Sequence, residues 1–125
     1  MNYSIVMRGN PRYPEQGKKA YAAAQYKGVM SLSEVARHMM DHGSKYNDGD
    51  ISAVVKTLVR EMAELLREGY MVELDEMGTF YLCLDSEGAE TKETFRSDRN
   101  IVDVHVGWRP GRQLRQLRKG MHFEP

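Results

Sequence analysis

Hydrophobic positions recur with two different periods along this chain, and the switch between them divides it into elements. In Asn2 to Arg8, Tyr3, Ile5 and Met7 alternate with polar neighbours, which predicts a short strand. A loop carrying Pro11 and Pro14 follows, from Gly9 to Gly17. The next run, KKAYAAAQYKGVM, is left open, because its alanines favour helix while its shortness and the Gly28-Val29 interruption do not. From Ser31 the period is helical: Ser31 and Glu34 form an S-x-x-E capping box, Leu32, Val35, Met39 and Met40 share a face, and Gly43 supplies a stop. A second, longer helix is predicted from Asn47 to Gly69. Asn47 serves as N-cap, Asp48 and Asp50 face the positive end of the dipole, and the apolar stripe comprises Ile51, Val54, Val55, Leu58, Val59, Met62, Leu65 and Leu66.

After Gly69 the period becomes two. MVEL and TFYLCL read as strands of a hairpin around DEMG, with Val72 and Leu74 on one face and Phe80, Leu82 and Leu84 likewise. A polar segment, DSEGAETKETFRSDRN, precedes a third strand, IVDVHVGW, with Val102, Val104, Val106 and Trp108 on one face. Pro110 and Gly111 end it, and a last helix is expected from Arg112 to Lys119, packing Leu114 and Leu117 and exposing Arg112, Arg115, Arg118 and Lys119.

Composition narrows the picture. The 125 residues suffice for one domain with its own core. No stretch approaches the roughly 20 apolar residues of a membrane span, the start does not read as a signal peptide, and the single cysteine, Cys83, cannot form an internal disulfide. The expectation is a cytoplasmic protein. Net charge is zero, which argues against a strongly basic packing protein, but the charges are segregated. Met1–Arg37 carries +4, His38–Arg60 balances, Glu61–Glu93 carries −8 and Thr94–Pro125 carries +4. A basic face is therefore available if the two ends of the chain meet in space, although segregation of this kind also arises from solvated faces alone.

The order helix, helix, hairpin, polar arm, strand and short basic helix, together with EGYMVELDEMGTF and GWRPGRQLRQLRK, resembles the HU and integration host factor family of bacterial DNA-binding proteins. The first motif is similar to the family's glycine-ended helix, V-x-L strand, glycine turn and phenylalanine. The second is similar to its aromatic-basic-Pro-Gly-basic-x-Leu start of helix three. The resemblance spans about Leu32 to Lys119, and the N-terminal strand region and closing MHFE resemble a divergent HU-like branch found in Bacteroides-type bacteria. It implies an α+β, HU-like fold in which a helical dimer core carries an antiparallel β-sheet saddle. The expected organisation is an N-terminal strand extension and loop packing on the core over residues 1–30, an HU-like domain over 31–120 and a tail over 121–125.

The same resemblance implies a homodimer whose core includes Val55, Leu58, Val59, Met62, Leu66 and Phe80, and double-stranded DNA as partner. An amphipathic helix pair and a three-stranded sheet independently leave more apolar face than one small chain can cover. Family members hold phosphates with basic residues of the sheet and helix three, and bend the duplex with basic arms tipped by proline. This sequence departs from that pattern. Asp85 to Asp103 holds six acidic residues (Asp85, Glu87, Glu90, Glu93, Asp98, Asp103) against Lys92, Arg96 and Arg99, and no proline. Glu76 and Met77 stand where the family has glycine and an aromatic. Lys92, Arg96 and Arg99 remain candidate arm contacts, but bending by intercalation is not expected. The expected phosphate site is the Arg-Pro-Gly-Arg corner: Arg109, Gly111, Arg112, Arg115, Arg118 and Lys119, with free N–H groups opening the last helix. The competing reading makes these cations complement the acidic second helix.

Other chemistry is sparse. His38 and His42 are four apart on a helix but lack a third ligand, Cys83 reads as packing or an inert thiol, and Glu73, Asp75 and Glu76 read as a solvated rim. With no phosphate loop, nucleophile elbow or triad, neither an enzyme nor a cofactor or small-molecule substrate is expected. Two readings remain: an architectural, nucleoid-associated DNA binder of low sequence preference, or an HU scaffold serving as a protein-interaction or structural module, which the neutral charge and acidic arm favour.

Overall fold

A computed structural model describes all 125 residues. It contains two antiparallel sheets and two substantial helices. Strands β1 (Asn2–Gly9) and β2 (Lys18–Gln25) form a separate two-stranded ribbon, paired from Asn2↔Gln25 to Gly9↔Lys18. The alanine run left open by the sequence is thus strand. Ala20, Ala22 and Ala24 face Met7, Ile5 and Tyr3, so the alternation of β1 outweighs the helical propensity of alanine.

Helix α1 (Leu32–Asp41) opens on Ser31, whose side chain accepts from the Glu34 N–H at 3.3 Å. The Glu34 carboxylate accepts the Ser31 hydroxyl at 3.1 Å instead of reaching the backbone of the cap. Helix α2 (Asp48–Arg67) opens on Asn47, which accepts from the Asp50 N–H at 2.8 Å. Gly43 and Gly69 follow the two helices with φ of 89° and 96°, the left-handed conformation that stops each one.

The second sheet has the order β3 (Val72–Glu73), β4 (Thr79–Ser86), β5 (Ile101–Arg109). β3 is shorter than MVEL, because the chain leaves the pairing at Leu74 for a 3-10 turn over Asp75–Met77, in which Asp75 has φ 44°. The pairs Val72↔Phe80, Phe80↔Trp108, Leu82↔Val106 and Leu84↔Val104 place the expected apolar residues on a common face. Within β5, Val102 is the exception. It is the unpaired residue at a register shift, because Asp85 faces Asp103 while Ser86 faces Ile101.

Between β4 and β5 the polar segment does not form an extended arm. It is closed at its base, where the Glu87 N–H donates to the Asn100 carbonyl (2.7 Å) and the Asn100 amide to the Glu87 carbonyl (3.1 Å). Within it the chain folds into turns and a single helical turn, α3 (Ser97–Asn100). The last helix, α4, is only Arg112–Arg115 and not Arg112–Lys119. Leu114 and Leu117 are both exposed, so no packing extends the helix, and a turn ending at Gly120 (φ 84°) takes over. The tail returns to the ribbon: Asn2 bridges Glu124 in parallel on the edge of β1 opposite β2.

Little of this is buried within one chain. The only buried apolar residues are Ala36, Ile51 and Leu66. The α2 stripe is covered at its two ends, Ile51 and Leu66, and open in the middle, where Val54 and Val59 are exposed and Val55, Leu58 and Met62 half-buried. Met62, Leu66, Leu82, Val104 and Val106 line an open apolar groove between α2 and the sheet. The accessible surface is 11053 Å². A folded monomer of 14.4 kDa exposes about 6,800 Å².

Candidate nucleic-acid interface

The C-terminal corner is built by backbone packed against backbone. Gly78, buried and at φ 113°, leaves no room for a side chain beneath Arg109–Gly111, and a Cβ on Gly111 would run into the Glu76 carbonyl. The Trp108 indole N–H donates to the Met77 carbonyl at 2.9 Å, fastening the turn to β5. These contacts fix where the chain leaves the sheet, and with it the start of α4.

The anion position at the opening of α4 is already taken in part. Glu76 Oε2 accepts from the Gln113 N–H at 3.3 Å, which corrects the expectation of free N–H groups there. A carboxylate thus occupies the place expected for a phosphate, and any contact at this corner falls to side chains. The sequence places Glu76 on a solvated rim, and only its position as a departure from the family pattern hints otherwise.

Those side chains are available. Arg109, Arg112, Arg115, Arg118 and Lys119 are all exposed, and none has a carboxylate within 4.0 Å, so they do not pair with α2. Gly111 is half-buried in the turn. Two of the guanidinium groups rest on aromatic rings: Arg109 lies 5.3 Å from the centroid of Tyr81, and Arg118 lies 5.0 Å from that of Phe123. Such stacking orients a guanidinium while leaving its N–H fork free. Tyr81 reaches this position because Gly107, its partner across the strands, has no side chain in the way.

The arm cations differ. Arg96 is held by Asp98 through Nε–Oδ1 (3.2 Å) and Nη2–Oδ2 (3.0 Å). Lys92 and Arg99 are exposed and lack ion pairs, but in sequence Lys92 lies between Glu90 and Glu93 and Arg99 next to Asp98. Elsewhere, His42 donates from Nδ1 to the His38 carbonyl at 2.8 Å, which commits that nitrogen to the helix end.

A family model described as an HU domain fused to a winged helix-turn-helix, Ig or glycine-rich motif, HU-HIG, matches residues 1–125. The chain belongs to the HU-HIG family. Among solved structures, this HU-HIG chain is similar to a proposed bacterial DNA-binding protein from Bacteroides vulgatus ATCC 8482, with a TM-score of 0.65 and 12% identity. The match covers 98% of this chain and 46% of that one, so the HU-HIG chain spans about half the length of its structural relative. No curated protein is significantly similar to it.

Proposed function

We propose that this HU-HIG chain binds double-stranded DNA as a homodimer, gripping the phosphate backbone with little sequence preference and acting as an architectural protein of the nucleoid. The observation that carries the reading is the set of five exposed, unpaired cations at a corner fixed by Gly78, Gly111 and Trp108. Family membership and the description of the Bacteroides vulgatus protein support DNA as the anion they meet. Phosphate contacts position a protein without reading bases, which is why low sequence preference follows. The open middle of α2 and a surface about 4,000 Å² larger than a monomer's favour a second copy as cover.

The test changes Arg109, Arg112 and Arg115 to Gln together and measures binding to two unrelated duplexes over a range of salt concentrations. Affinity falls equally for both duplexes, and the salt slope flattens by about one unit for each cation that no longer meets a phosphate. A folded triple variant with wild-type affinity and slope removes the corner from the interface. The folded-up acidic segment 87–100 and the zero net charge favour a second reading, a protein-interaction module. Absence of duplex binding by the wild type at low salt selects that reading.

A further inference from the structure

The β1–β2 ribbon carries a second concentration of positive charge, away from the corner. Arg8, Lys18 and Lys19 sit at its closed end and Arg12 in the connecting loop, with Glu15 as the single acid there. Every residue from Gly9 to Ala22 is exposed, and no cation of the tip joins an ion pair. Arg8 is directly opposite Lys19 across the strands. Like charges in that position destabilise a ribbon, and a two-stranded ribbon is only marginally stable to begin with. Nothing within the chain compensates this repulsion, whereas an external polyanion would.

The shape of the ribbon selects among polyanions. Ser4, Ala20, Ala22, Ala23 and Ala24 keep it slender, and two strands about 4.8 Å apart fit a duplex groove about 12 Å wide. Its root is fixed next to the corner. The Met1 amine donates to the His122 carbonyl (2.6 Å), the Tyr3 N–H to the Glu124 carbonyl (2.9 Å) and the Glu124 N–H to the Met1 carbonyl (3.1 Å). Between these anchors lies Phe123, the ring on which Arg118 rests. The tip is about 24 Å from this root, or about seven base-pair steps, so corner and tip can meet one duplex. Thus the two chain ends meet at the ribbon's root, while the ribbon's own cations stand at the far end of the strands.

Resting on the DNA-binding reading above, we propose that Arg8, Arg12, Lys18 and Lys19 form a second phosphate-binding site, with the ribbon laid along a groove of duplex DNA. It takes the place of the acidic segment between β4 and β5, which is ill suited to that role.

The experiment compares the wild-type chain with Arg8→Gln/Arg12→Gln/Lys18→Gln/Lys19→Gln and with Glu15→Gln, by fluorescence anisotropy of a short labelled duplex at several salt concentrations. Circular dichroism and sedimentation confirm an unchanged fold and assembly. The quadruple variant loses about three to four units of salt slope and about tenfold or more in affinity at low salt, while Glu15→Gln tightens binding. If the wild type binds and both variants match it, the ribbon site is overturned and the DNA reading stands. If the wild type binds no duplex, both fall. If the quadruple variant loses binding only to anionic lipid vesicles, the tip faces a membrane surface and the proposal is wrong.

Discussion

Two glycines at the corner differ in what a side chain would meet, and that difference is measurable. At Gly111 an added Cβ meets the backbone of Glu76, which cannot move without shifting the whole 3-10 turn; at Gly107 it meets only the far end of the Tyr81 ring. Gly111→Ala therefore costs on the order of 3 kcal/mol in urea unfolding, and Gly107→Ala about 1 kcal/mol, since the ring can swing aside. Equal costs would refute the backbone clasp. Gly107→Ala also displaces the platform under Arg109. The sequence motif located the corner, because Pro110 and Gly111 mark a turn whatever surrounds them. It did not disclose the bond from the Gln113 N–H to the Glu76 carboxylate, which depends on the path of a turn 37 residues earlier in the chain. Nor did it single out Ala36, the fully buried residue of α1, whereas on the expected face Val35, Met39 and Met40 stay exposed and Leu32 half-buried within one chain.

Among the elements, the helices were legible because their caps act locally: Ser31 and Asn47 each bond to a residue three positions on, and Gly43 and Gly69 stop the helices wherever they pack. β2 was not, since Ala20, Ala22 and Ala24 become a strand only when Met7, Ile5 and Tyr3 are beside them, and that pairing is not a local property. α4 failed in the opposite sense, a good helical pattern with nothing to pack against. The open middle of α2 gives the element-scale prediction. Leu58→Asp introduces an unpaired charge into the apolar surface assigned to the second copy and abolishes folding, read as loss of the helical circular dichroism signal. The assignment fails if the wild type sediments as a stable monomer at micromolar concentration, or if Leu58→Asp folds and assembles normally.

At the scale of the molecule, zero net charge conceals two positive regions, the corner and the ribbon tip, and an acidic turn segment between β4 and β5. That segment is closed at its base and has no proline to insert, so a duplex bound by this protein stays nearly straight. The end-to-end distance of a doubly labelled duplex checks this; a large shortening on binding would contradict it and point to Phe95, the exposed aromatic of that segment, as a wedge. The joint at the ribbon's root has a mechanical consequence. β1 and the tail run parallel where Asn2 meets Glu124, so a pull between Met1 and Pro125 drives them in opposite directions along their length. The three backbone bonds at that joint are then strained together in shear, not peeled apart one after another, and they form a clamp that must yield before tension reaches either helix.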